Sequence, residues 1–72
     1  MKKFSGLVNY VTLKRNDCSV VATNDFPVSV YAEDRTEAVS KMADVGQAVA
    51  RSANNTDFAV FYRVINIEEI GA

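Results

Sequence analysis

The chain has 72 residues, 49% of them hydrophobic and 24% charged, which is the composition of a folded globular protein. This length suits one domain, which we expect to span residues 1–72. The net charge of −1 argues against a dedicated nucleic-acid binder, because phosphate contacts require an excess of Lys and Arg.

Strand-forming residues dominate residues 4–13, and the polar residues 14–17 that follow predict a turn. In this first strand, one set of alternate positions carries Leu7, Val11 and Leu13, and the other carries Gly6, Val8, Tyr10 and Thr12. Both sets are fairly apolar, so neither is an obvious water-facing side.

A second strand is predicted from residue 18, where we expect Cys18 to be a buried small hydrophobic residue. Residues 24–27 interrupt the strand pattern, because Asn and Asp favour turns and Pro27 cannot donate a ladder hydrogen bond. Strand character resumes over residues 28–32. The interruption is either a bulge in one long strand or a tight hairpin between two short ones, and Pro27 indicates an edge position.

The clearest element is a helix that begins at the capping box of residues 34–37. Asp34 can accept a hydrogen bond from the Glu37 N–H, and Glu37 can reach back to the Asp34 N–H. Asn54 and Asn55 provide a stop, because Asn tolerates the left-handed conformation. Apolar residues at helical spacing define the buried side: Ala38, Val39, Met42, Ala43, Gly46, Val49, Ala50 and Ala53.

Gly46 stands in the middle of that apolar stripe, where a glycine weakens a helix by about 1 kcal/mol relative to alanine. Two explanations are open. The helix backbone approaches the sheet closely at this position, or the glycine is simply tolerated.

The final strand is predicted over residues 58–67, followed by a tail, residues 68–72, that we expect to fray except at Ile70. The order strand, strand, helix, strand predicts an α+β fold. It consists of a small, mostly antiparallel sheet of three or four strands with one helix packed on one face. The strands that flank the helix are expected to be parallel, with the first strand between them and antiparallel to both.

Both sides of the final strand are apolar. One side carries Phe58, Val60, Tyr62 and Val64, and the other carries Ala59, Phe61, Ile65 and Ile67, with Arg63 as its one charged member. A single helix covers one face of the sheet, so the second apolar face is predicted to be an interface. We assign to it four residues of types enriched in interfaces: Tyr10, Tyr31, Phe61 and Arg63.

The sequence offers little for catalysis. It contains no histidine, which excludes Ser-His and Cys-His nucleophile systems, and its three glycines are too far apart for a phosphate-binding loop. Its single cysteine, Cys18, has no disulfide partner. The carboxylates have ordinary roles in caps, turns and solvated surface, so we expect no enzyme, no metal site and no cofactor.

The basic start of the chain is followed by polar residues rather than by an apolar run of signal-peptide length, and no stretch is long enough to span a membrane. A lone cysteine suits a reducing compartment. We therefore expect a cytoplasmic protein with no membrane partner.

In general style the chain resembles small phage-encoded anti-defence inhibitors, including anti-CRISPR proteins. The likeness lies in the strand of residues 28–32, the capped helix that begins after Asp34, and the closing strand of residues 58–67. The resemblance implies a non-enzymatic protein-binding module that blocks a larger bacterial defence complex by occupying its surface. It carries over no functional residue.

Two further hypotheses belong to other classes. The first is a homo-oligomer, such as a homodimer, that binds a small ligand such as a nucleotide where Tyr and Arg side chains meet across subunit seams. The second is a weak enzyme that uses paired carboxylates. Self-association would also support a chain this small, which has neither a disulfide nor a His-containing zinc site.

Overall fold

The computed structural model describes residues 1–70. In that part of the chain the elements are β1 (Lys2–Lys14), β2 (Val20–Ala32), α1 (Arg35–Ala53) and β3 (Phe58–Ile70). The strand order across the sheet is β2-β1-β3, with β1 antiparallel to both neighbours, and α1 packs on one face. The predicted α+β fold is confirmed, with three strands rather than four in residues 1–70.

The strands are long, at 13 residues each, and the molecule measures 47 Å in its longest dimension. β3 extends past its predicted end at residue 67, because Ile70 still pairs with Lys3 of β1. The rest of the predicted tail, Gly71 and Ala72, lies outside the described residues.

A tight loop joins β1 to β2. The Lys14 N–H donates to the Ser19 carbonyl at 2.9 Å, and the Cys18 N–H donates to the Lys14 carbonyl at 2.8 Å. Cys18 is exposed and has a φ of 58°, in the left-handed region. The prediction that Cys18 is buried at a strand start is wrong, because the residue closes the loop and β2 begins only at Val20.

β2 is one continuous strand. Its pairing with β1 runs unbroken from Lys2 opposite Ala32 to Thr12 opposite Ala22, and the register shift comes only after Thr12. The interruption predicted for residues 24–27, whether bulge or hairpin, is therefore wrong. Pairing with β1 overrides the local turn preference of these residues.

Pro27 lies on an edge strand, as predicted, because among the strands of residues 1–70 β2 pairs only with β1. On β3, Val60 bonds Asn54 with both its N–H and its carbonyl, so its partner Thr12 and the other even-numbered residues of β1 direct their backbone groups to β2. Pro27 lies opposite the odd-numbered Leu7, so its nitrogen points away from β1. Its missing N–H removes no bond from the sheet.

The helix begins on the predicted side-chain cap. Asp34 accepts a hydrogen bond from the Glu37 N–H at 2.8 Å, which confirms one half of the capping box. The Glu37 carboxylate instead pairs with Lys41 at 3.3 Å, one turn along α1. At the other end the helix stops where predicted, with Asn54 as the C-cap, but the φ of −68° at Asn54 shows that the left-handed conformation expected there is wrong.

The side chains of Asn54 and Asn55 tie the end of the helix to the free edge of β3. The Asn54 amide donates to the Val60 carbonyl at 3.2 Å and accepts from the Val60 N–H at 3.1 Å. Asn55 accepts from the Phe58 N–H at 2.8 Å through its side chain and donates to the Phe58 carbonyl at 3.0 Å through its backbone. Because β1 lies on the other side of β3, these bonds occupy outward-facing groups of the edge strand.

The buried stripe of α1 is narrower than predicted. It consists of every fourth residue: Ala38, Met42, Gly46 and Ala50. Four other predicted members are half-buried or exposed: Val39, Ala43, Val49 and Ala53. The difference arises because residues four apart form a single row on a helix, and this row is the part of α1 that is buried against the sheet. The buried core residues that the sheet supplies include Phe4, Val8, Tyr10 and Ala32.

Glycines on both elements allow this close packing. A Cβ added at Gly46 would stand 2.6 Å from Cδ2 of Tyr62 and 3.0 Å from Cγ1 of Val8. A Cβ added at Gly6 would stand 2.8 Å from the sulfur of Met42. Close approach of α1 to the sheet is therefore the explanation for Gly46.

A bulge in β3 changes the side on which its last residues face. The pairing with β1 shifts register between Ser5 and Leu7, and Asn66 of β3 has a φ of 55°. An extra residue moves the side chains that follow it to the opposite face. Ile67 therefore lies on the side of the sheet that faces α1, where it packs against the core. The prediction that it shares a side of β3 with Phe61 is wrong.

Candidate protein interface

The sheet face opposite α1, which we call the open face, is not covered by any element within residues 1–70. Directly opposed residues of antiparallel strands share a face, so the register identifies its members. Its centre consists of three rows, each read from β2 through β1 to β3: Pro27-Leu7-Ile65, Asp25-Asn9-Arg63 and Thr23-Val11-Phe61.

The two outer rows are mainly apolar. Leu7 and Val11 are half-buried by their own neighbours in the sheet, and the ring of Phe61 is 58% exposed. A depression of about 310 Å³ lies beside this ring and is lined in part by Val11 and Arg63. Exposed apolar side chains gathered on one face in this way are typical of a contact surface.

The middle row is polar and is held together by Asn9. The Asn9 Nδ2 donates to Oδ1 of Asp25 at 2.6 Å, and the Asn9 Oδ1 accepts from Nε of Arg63 at 3.3 Å. Within residues 1–70 these bonds leave the terminal guanidinium nitrogens of Arg63 and the second carboxylate oxygen of Asp25 without a partner. The open face therefore carries a negative charge at its β2 edge and a positive charge at its β3 edge.

Three of the four predicted binding residues, Tyr31, Phe61 and Arg63, lie on the open face. The assignment of Tyr10 to that face is wrong. Tyr10 is on the helix side, only 6% exposed, with its ring 5.7 Å from that of Phe26 in an edge-to-face contact. The physical reason is the alternation of β1, which turns its even-numbered residues towards α1.

Tyr31 is remote from the other two predicted residues on the open face. It lies opposite Lys3, whose ammonium is 6.0 Å from the ring centroid, whereas Phe61 lies opposite Val11. At about 3.4 Å per residue, about 27 Å separates these two rows. The structure therefore brings together Phe61 and Arg63 but not Tyr31.

Asn9 and Asp25, which form the middle row with Arg63, are not among the site residues predicted from the sequence. The signal that could have revealed them is the register of the first hairpin, which places the two residues opposite each other. Treating residues 24–27 as an interruption removed Asp25 from the strand and so concealed this pairing.

A second apolar surface, the helix-side groove, lies between α1 and β2. It has a volume of about 280 Å³ and is lined by Tyr10, Phe26, Val28, Val45 and Val49. The groove exists because α1 contacts β3 more extensively than β2 and leaves the first half of β2 uncovered. Its most exposed aromatic ring is that of Phe26, at 55%.

Among the titratable groups of residues 1–70, two have altered acidity, and both are outside the open face. Burial raises the pKa of the Tyr10 phenol above its ordinary value. Hydrogen bonds from the Ser19 hydroxyl at 2.7 Å and the Ser19 N–H at 3.0 Å lower the pKa of the Asp17 carboxyl. No group of three or more His, Cys, Asp or Glu that could hold a metal ion occurs in the described part of the chain.

Within residues 1–70, no helix combines the length and the apolar character needed to cross a membrane.

No protein-family model matches this sequence, and comparisons with curated proteins and with solved structures found no match.

Proposed function

We propose that this chain is a protein-binding domain and that the open face is its binding surface. The observation that carries the proposal is the pair of apolar rows around Leu7 and Val11, on the side of the sheet that α1 does not cover. A solvated face of an antiparallel sheet ordinarily carries polar residues at these positions. Apolar residues there favour contact with another protein surface.

The residue types at the β3 edge of the open face also support protein binding. Aromatic residues and arginine are enriched among the residues that contribute most to protein interfaces. Phe61 offers an exposed ring, and Arg63 offers guanidinium donors that Asn9 does not use. The net charge of −1 favours a protein surface over the phosphates of a nucleic acid.

A narrower hypothesis concerns the biological role. The resemblance of residues 28–67 to phage anti-defence inhibitors supports a non-catalytic role in which the domain blocks a bacterial complex by covering part of its surface. The open face is the surface we propose for such blocking.

The test is a retention experiment with the immobilised chain. It is challenged with a bacterial lysate that also contains a differently tagged copy of the same chain. The variant Phe61→Ala with Arg63→Ala removes the proposed contacts, and Gln47→Ala with Arg51→Ala is the control double variant on the exposed side of α1.

We expect the wild type and the control variant to retain the same protein, and the open-face variant to retain none above background. All three chains should have equal helix content by circular dichroism, because every substituted side chain is exposed. Equal retention by the open-face variant would show that the open face is not the binding surface.

A further inference from the structure

We infer that the protein bound by the open face is a second copy of this chain, stacked sheet against sheet around a two-fold axis parallel to β1. The inference rests on the proposed function, since it names the occupant of the same surface. Under this symmetry β2 of each copy lies over β3 of the other, and the two β1 strands lie over each other.

The charges of the middle row favour this arrangement. A two-fold axis parallel to β1 places Asp25 of each copy over Arg63 of the other, which gives two opposite-charge contacts across the interface. An axis perpendicular to the strands through Asn9 would instead place Asp25 over Asp25 and Arg63 over Arg63. Like charges in contact oppose association, so the row discriminates between the two orientations.

The atoms needed for these contacts are available. Asn9 occupies only Nε of Arg63 and only one carboxylate oxygen of Asp25 within the chain. The remaining guanidinium nitrogens and carboxylate oxygen can form charge-assisted hydrogen bonds to the facing copy. Asn9 keeps both side chains extended over the sheet and reduces the conformational entropy that they lose on association.

The apolar rows match under the same symmetry. Leu7 meets Leu7 of the other copy, Val11 meets Val11, and the Phe61 ring lies over the opposite β2 edge near Thr23. Stacked sheets pack about 10 Å apart, which is the distance that interdigitated side chains of this size fill.

The area of the open face is sufficient for a stable dimer. Three strands spaced about 4.8 Å apart, with 13 residues each, span about 14 Å by 44 Å, or about 600 Å² for each copy. The total of about 1,200 Å² is at the lower end of the range for specific interfaces.

The edges of the sheet are less suitable for association than its face. On β3, Asn54 and Asn55 bond the outward-facing groups of Val60 and Phe58, and Arg35 donates to the Ile67 carbonyl at 2.9 Å. On β2, Pro27 removes a donor from the outer edge. Stacking uses the open face without disturbing these edge contacts.

The test measures solution mass by sedimentation equilibrium over a range of concentrations. The wild type should be a dimer. Arg63→Asp and Asp25→Arg each place like charges opposite each other, so each should raise the dimer dissociation constant about tenfold or more. Arg51→Asp, a charge reversal on the exposed side of α1, should leave it unchanged.

Two combinations make the test specific to a second copy. The double variant Asp25→Arg with Arg63→Asp restores opposite charges and should dimerise like the wild type. An equimolar mixture of the two single variants should form heterodimers, because each supplies the charges that the other needs.

A wild type that is monomeric at every concentration, or a double variant no tighter than the single ones, would overturn the inference. If the retention experiment then yields only a lysate protein, the open face is still a protein interface and only the second copy is excluded. If it yields no protein at all, the proposed function fails as well.

Discussion

Gly46 of α1 lies so close to the ring of Tyr62 that a Cβ at position 46 would stand 2.6 Å from the Cδ2 atom of the ring. Carbon atoms in contact prefer a separation of about 3.5–4.0 Å, so the glycine is what allows the helix to lie at this distance from β3.

The variant Gly46→Ala should therefore destabilise the domain. Overpacking of a core typically costs about 1–3 kcal/mol, whereas the gain in helix propensity is about 1 kcal/mol. We expect the overpacking to dominate, because the added Cβ would also stand 3.0 Å from Cγ of Tyr62, an atom that rotation of the ring about its own axis does not move. Urea denaturation measures the change.

A double-mutant cycle supplies the control. Tyr62→Val removes the ring, and in that background Gly46→Ala should become neutral or stabilising. A Gly46→Ala variant that is more stable than the wild type would show that the helix can move away from the sheet at little cost.

Met42 and Val49 should respond differently to truncation, although both are apolar residues of α1. Met42 is fully buried against Gly6, so Met42→Ala should reduce the unfolding free energy by about 2–5 kcal/mol. Val49 is 46% exposed at the helix-side groove, and Val49→Ala should cost less than about 1 kcal/mol. If thermal denaturation shows the same loss of stability for both variants, Val49 is buried in solution and the helix-side groove is closed.

Tyr10 should make stability depend on pH in the alkaline range. Burial raises the pKa of its phenol in the folded state above the unfolded value of about 10, so folding favours the protonated form. Its contribution is fully present below about pH 10 and is lost as pH rises through the folded pKa. Urea unfolding between pH 8 and pH 11 (about the range that brackets an ordinary tyrosine) should therefore show declining stability.

The variant Tyr10→Phe isolates this effect from the titration of other groups, because it keeps the ring packed against Phe26 and removes the phenol. Its stability should decline less steeply with pH than that of the wild type. Equal slopes of stability against pH for the two proteins would show that the Tyr10 phenol is not the group whose titration lowers the stability.

The sequence was sufficient to predict the fold class, the strand order and the start of the helix. These features depend on signals that are local and strong, such as the capping residue Asp34 and the β-branched segments of the strands. The prediction of an uncovered apolar face also needed only the composition of β3, because Phe61 and Ile65 alternate with residues that face α1.

The details that failed depend on tertiary pairing. Residues 24–27 read as a turn, yet β1 holds them in an extended strand. The side on which Tyr10 faces follows from the register, and the reversal at Ile67 follows from a bulge at Asn66 that no local pattern indicated. Asn9 and Asp25 escaped notice because their importance comes from a contact across strands.

The bonds from Asn54 and Asn55 to the outer edge of β3 also bear on aggregation. β3 has the composition of an amyloid-forming segment, rich in aromatic and β-branched residues. In the folded state its outer backbone groups are bonded at Phe58, Val60 and Ile67, which confines any pairing with a fibril to the stretch between them, residues 61–66. Detachment of Asn54 and Asn55 from β3 would release the bonds at Phe58 and Val60 and lengthen that stretch to residues 58–66, which favours fibril growth.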